Sequence, residues 1–67
     1  MKLNRIKVVL VEKGMSQTLL AEKIDKSFST VNSYCCNRLQ PSLDTLQRIS
    51  EILGVDMKEL ITEKDDR

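Results

Sequence analysis

Serine and the residues that tolerate a left-handed backbone alternate along the whole of this chain, and they cut it into pieces too short for anything but small helices. Ser16, Ser27 and Ser42 each precede an apolar segment, where a hydroxyl can accept an orphan N–H of the next turn. Gly14 and Gly54 each follow one, at the position where a helix ends on a left-handed residue. Asn37 plays the same part less perfectly, since Asn visits that conformation more readily than other non-glycine residues. Between these marks the apolar residues recur at helical spacing. Leu3, Ile6, Val9 and Leu10 form a first helix. A second, Gln17 to Ile24, buries Leu20, Ala21 and Ile24. After an Asp25-Lys26 turn, a third covers Phe28 to Cys36 with Val31 and Cys35 inward. Following the loop Arg38-Leu39-Gln40-Pro41, a fourth carries Leu43, Leu46, Ile49, Ile52 and Leu53 in one stripe. Asp56 and Glu59 then read as a capping box opening a fifth, with Met57, Leu60 and Ile61. No alternating strand pattern competes. The expectation is an all-α domain of five short helices over residues 1–61, with 62–67 a charged, frayed tail.

With 67 residues there is room for one domain, and one of this size buries only about 60% of its unfolded surface, which disfavours a deep catalytic cleft. There is no His, so the commonest general base and metal ligand is missing. Neither a nucleophile–base pair nor a phosphate-cradling glycine loop is visible, and we expect no enzyme, no cofactor and no metal. The adjacent Cys35 and Cys36 lack any zinc-ligand spacing and read as cytosolic thiols. A disulfide between them would distort the helix, because adjacent helical residues diverge. No apolar run is long enough to span a bilayer, and no cleavage site follows Val8-Val9-Leu10-Val11, so a cytoplasmic location is expected.

The net charge of +1 conceals a division. Residues 1–41 hold seven Lys and Arg against three Asp and Glu, a net +4; residues 42–67 hold four against seven, a net −3. One half is suited to an anion, although chance segregation of solvating charges gives the same result.

Residues 16–37 carry the informative constellation. Two short helices meet through a tight turn, with small Ala21 on one and β-branched Val31 on the other, so that the backbones can cross closely. The outer face of the second then presents Phe28, Ser29, Asn32 and Ser33. These are short hydrogen-bonding groups and one ring, not the Lys/Glu mixture of a solvated face, and such a helix can reach base edges in a major groove about 12 Å wide.

This stretch, with Gly14-Met15-Ser16-Gln17, Leu20-Ala21-Glu22-Lys23-Ile24, Ser27 through Tyr34, Pro41-Ser42-Leu43-Asp44-Thr45-Leu46 and Leu53-Gly54-Val55, resembles the helix-turn-helix of the Cro and lambda-repressor type, the xenobiotic response element (XRE) family. The resemblance covers residues 3 to about 61. It implies a lambda-repressor-like fold and a sequence-specific regulator of transcription, a repressor, that binds a pseudo-palindromic double-stranded operator as a homodimer. Base contact then falls to Ser27, Phe28, Ser29, Asn32 and Ser33, and phosphate contact to Ser16, Gln17, Lys26, Asn37 and Arg38. Structural alternatives stand beside several of these: Gln17 merely exposed at a helix start, Ser27 only a cap, Phe28 a packing residue, Asn32 and Lys26 simply solvated. Met57, Leu60 and Ile61 are the candidate dimer surface, with inward packing beneath the first helix the alternative, more so for Leu60 than for Met57. Another function is also open, an antitoxin-like interaction module that sequesters a partner protein.

Three positions depart from the family pattern. Asp25 and Asn37 stand where glycine is usual, and Leu10 and Cys35 stand where an Arg and a Glu often pair. We read the last as an ion pair exchanged for an apolar contact, which a small core accepts.

Overall fold

The computed structural model describes residues 3–61. Four α-helices follow one another: α1 (Ile6–Lys13), α2 (Gln17–Lys23), α3 (Phe28–Cys35) and α4 (Leu43–Leu53), then a 3-10 turn, Met57–Leu60. The fold is all-α, and the fifth helix is reduced to that turn.

The serine caps form as the sequence implies. Ser16, Ser27 and Ser42 have extended backbones, and their Oγ atoms accept the N–H of Leu19, Thr30 and Thr45 at 3.0–3.2 Å. The four helix ends share one geometry. Gly14, Asp25, Asn37 and Gly54 all have φ between 59° and 70°. The residue after each donates its N–H to the carbonyl five positions back: Met15 to Leu10, Lys26 to Ala21, Arg38 to Ser33 and Val55 to Ser50, all at 2.9–3.0 Å. This is the Schellman arrangement, which satisfies carbonyls the helix leaves free.

Ile6, Val9, Leu20, Ile24, Val31, Ile49 and Leu60 are almost wholly buried and form the core with Leu10, Ala21, Tyr34, Cys35, Leu46 and Leu53. Of the stripes expected for the first four helices, Ile52 is half-buried against this core and two residues are exposed. Leu43 is 74% exposed, because it lies about 120° round α4 from Ile49 in the first turn. Leu3 is also exposed, because α1 begins only at Ile6. Ahead of α1, Asn4 forms an isolated antiparallel bridge with Ile61, and the Arg5 N–H donates to the Leu60 carbonyl at 2.8 Å. The capping box at Asp56 and Glu59 is absent. The Asp56 side chain makes no cap bond, and a single 3-10 turn does not present the α-helical N3 position that box needs. The expected tail, 62–67, lies outside the described residues. Among those described, no helix is long and apolar enough to cross a membrane.

Candidate nucleic-acid interface

α2 and α3 pack directly on each other across the turn Ile24–Ser27. Ala21 and Val31, the small and the β-branched residue picked out for this crossing, are both buried. Burying Val31 and Tyr34 fixes the roll of α3 and turns its opposite side outward. Phe28, Asn32, Ser29 and Ser33 then occupy an arc of about 140° at 100° per residue. Phe28 is 52% exposed and Ser29 is exposed, whereas Asn32 and Ser33 are half-buried. A helix so rolled offers one aromatic edge and three short polar groups to whatever docks along it.

A profile of the helix-turn-helix family matches residues 6–60, which takes in all four helices and the 3-10 turn. This chain belongs to the helix-turn-helix family. Among solved structures it is similar to a Bacteroides fragilis protein described as DNA-binding, with 50% identity and a TM-score of 0.89 over 92% of this chain and 100% of that one. It is also similar to the N-terminal DNA-binding domain of SinR from Bacillus subtilis, with 38% identity and a TM-score of 0.75 over 90% and 88% of the two chains. A Yarrowia lipolytica protein described as multi-protein-binding factor 1 is 36% identical over 47 residues, which cover 70% of this chain and 31% of that protein. The helix-turn-helix chain thus spans about a third of that relative's length.

Ser27 is exposed, but its hydroxyl is already committed: it accepts from the Thr30 N–H at 3.1 Å and donates to Thr30 Oγ1 at 3.0 Å. Ser16 is likewise exposed and engaged as a cap. Lys26 and Arg38 are exposed. Gln17 is half-buried, and its Oε1 is buried with no hydrogen-bond partner. A phosphate only accepts, so it can engage this amide only through Nε2.

Asn37 does not sit as a free phosphate donor. Its Oδ1 accepts the backbone N–H groups of Leu3 and Asn4 at 2.7 and 2.9 Å, and its Nδ2 donates to the Asn4 carbonyl at 3.3 Å. These bonds commit Oδ1 and one N–H of the amide to the N-terminal segment, and Arg38 beside it is exposed. Leu60 is corrected in the same way: it is fully buried in the protein's own core and cannot line a dimer surface. Met57 is half-buried and packs against that core, while Ile61 is 42% exposed.

Sequence reasoning missed Asn4, which is 6% exposed and joins the start of the chain to the end of α3. The partners of its Nδ2 lie 30 and 36 positions away, so no local pattern announces them. Among the described residues no cluster of metal-ligating side chains occurs. Both cysteines are free, Cys35 buried and Cys36 exposed. Burial, reinforced by the neighbouring Cys36, pushes the Cys35 thiol pKa up, and Lys7 partly opposes this.

Proposed function

We propose that this helix-turn-helix protein is a sequence-specific, double-stranded DNA-binding regulator of transcription that acts as a repressor. Its function is binding, not catalysis. The observation that carries this reading is the outward arc of Phe28, Ser29, Asn32 and Ser33 on a helix whose roll is fixed by Val31 and Tyr34. Asn32 is suited to a bidentate pairing with adenine, Phe28 to a thymine methyl, and the Ser29 and Ser33 hydroxyls to either donors or acceptors on base edges, while Ser27, whose proton goes to Thr30, can only accept. Ser16, Gln17, Lys26 and Arg38 meet the backbone on either side and set the register of α3. Repression requires only that the site be occupied, which a domain of this kind supplies.

One recognition helix reads too few base pairs to single out a genomic site. Two copies related by a two-fold axis double the contact, and they make the operator a pseudo-palindrome with half-sites about 34 Å apart. Met57 and Ile61 support the dimer surface. Selection from a random duplex library, followed by titration of the selected sequence at several salt concentrations, tests the reading. A recurring palindromic motif with steeply salt-dependent affinity is expected. No enrichment, with a stable complex to another protein that is indifferent to DNA, would overturn it.

A further inference from the structure

We infer that Asn4 is a positioning residue for DNA binding: from outside the helix-turn-helix it fixes the loop that carries Arg38 relative to the base-reading face of α3. The inference rests on the DNA-binding reading given above.

Asn4 is buried, precedes α1, and has each of its side-chain polar atoms engaged. Nδ2 donates to the Tyr34 carbonyl in the last turn of α3 at 2.9 Å, and to Gln40 Oε1 at 2.9 Å. Oδ1 accepts the Ile6 N–H at 3.1 Å, which does for α1 what its side-chain-uncapped N-cap residue Arg5 does not. Gln40 Nε2 closes the ring on Asn37 Oδ1 at 3.2 Å, the same oxygen that holds the Leu3 and Asn4 N–H groups. Residues 37–40 are therefore fastened at both ends to the segment before α1. Arg38 lies between those fastenings, its own N–H returned to the Ser33 carbonyl at 2.9 Å. Ser33 belongs to the outward arc of α3, so the loop takes its bearing from the helix that reads the bases.

The anchor does not merely follow the loop. Its other edge is tied to the C-terminal part of the fold by the Asn4–Ile61 bridge and the Arg5 N–H to Leu60 carbonyl bond. With that side fixed, Asn4 and Asn37 set where the Arg38 backbone sits, and thus whether its guanidinium meets a phosphate while α3 is seated in the groove. Buried amides are suited to this. Their hydrogen bonds are directional, and a displaced partner leaves an unsatisfied polar group behind.

The test is the slope of log affinity against log salt for a duplex selected from a random library, since that slope counts phosphates engaged at about 0.9 per contact. Arg38→Ala should flatten it by about one. Asn4→Ala should flatten it by a similar amount with base preference unchanged, and the double variant should flatten it no further. Asn4→Ala that lowers affinity at an unchanged slope, or a double variant whose losses add, would overturn the inference, because a role confined to stability changes the folded fraction and not the contacts of the folded protein. Should Asn4→Ala fail to fold, Gln40→Ala, at an exposed position, decides. It should give a slope between wild type and Arg38→Ala and faster hydrogen exchange at the Arg38 amide. Wild-type slope and exchange there would also overturn it. Wild-type protein that enriches no duplex fails the DNA-binding reading itself, independently of every variant.

Discussion

Lys26 donates its backbone N–H to the carbonyl of Ala21 at 2.9 Å, and this bond closes the helix-turn-helix. It forms only because Asp25 between them takes φ 59°. The companion bond, from the Asp25 N–H to the Glu22 carbonyl, is longer at 3.3 Å. Asn37 holds the equivalent place after α3 at φ 60°. Two non-glycine residues thus bear the same backbone cost, but only Asn37 has a side chain built into the fold.

The two positions should therefore respond oppositely to glycine. Asp25→Gly removes the left-handed penalty, partly offset by a more flexible unfolded chain, and should stabilise by up to about 1 kcal/mol. Asn37→Gly gains the same relief but loses the bonds to Leu3, Asn4 and Gln40, and should lower the melting temperature. Thermal melts of the two variants check this. A rise for both would mean the Asn37 amide contributes nothing to the fold.

The proposed base-reading and backbone-meeting residues should separate by what they do to specificity. Asn32→Ala should cost about 1–3 kcal/mol on the preferred site and relax selection at one base position. Gln17→Ala should weaken operator and random duplex alike. Competition titrations with both duplexes give the comparison. An equal loss on both for Asn32→Ala would remove Asn32 from the base-reading set.

Cys36 should react with iodoacetamide in the native protein, while Cys35 should resist until the chain unfolds. The raised pKa of Cys35 leaves less thiolate at neutral pH, and burial restricts access to it. Peptide mass mapping after brief labelling reads the sites. Equal labelling of both would place Cys35 outside the core.

Most of the helical frame was legible because its signals are local. A serine hydroxyl reaches its own N3 amide, and a glycine after an apolar stripe ends the helix it follows. Ser16, Ser27, Ser42, Gly14 and Gly54 all do in the structure what their neighbours in sequence suggest. The failures share a different cause. Asn4 sits inside a run whose spacing reads as helix, yet its partners come from the end of α3 and the following loop. Asn37 was legible as a helix stop, from its backbone preference, but not as the holder of the N-terminal segment. Leu60 shares its spacing with Met57 and Ile61, and only the packing of the 3-10 turn decides that it faces inward.

The departure at Leu10 and Cys35 offers a test of the core. Both are buried in one apolar cluster, on α1 and α3, which pack together. Leu10→Arg should cost about 3–5 kcal/mol, since it buries a charge with no partner, a large share of what a small domain has. Adding Cys35→Glu should recover part of that loss by supplying the opposite charge. Denaturant melts of the four proteins in a double-mutant cycle measure the coupling. Additive losses would show that the two side chains do not meet.

The proposed assembly has very little surface to draw on. With Leu60 withdrawn into the core, Met57 and Ile61 are what remain of the candidate dimer patch, and Met57 is itself partly covered. At roughly 25 cal/mol per Å² of apolar surface, two such side chains cannot offset the cost of bringing two free chains together. On the proposed palindromic operator the DNA would meet much of that cost by holding both copies at one spacing and raising their effective concentration. Binding should therefore be cooperative on a full palindrome by a protein that is monomeric in dilute solution. Ile61→Glu should reduce the cooperativity and leave half-site affinity intact, because Ile61 is exposed. Leu60→Glu should instead abolish folding, because a charge would enter the core. Sedimentation at saturating protein on full and half operators distinguishes these outcomes. A one-to-one complex on the full palindrome would sink the dimer.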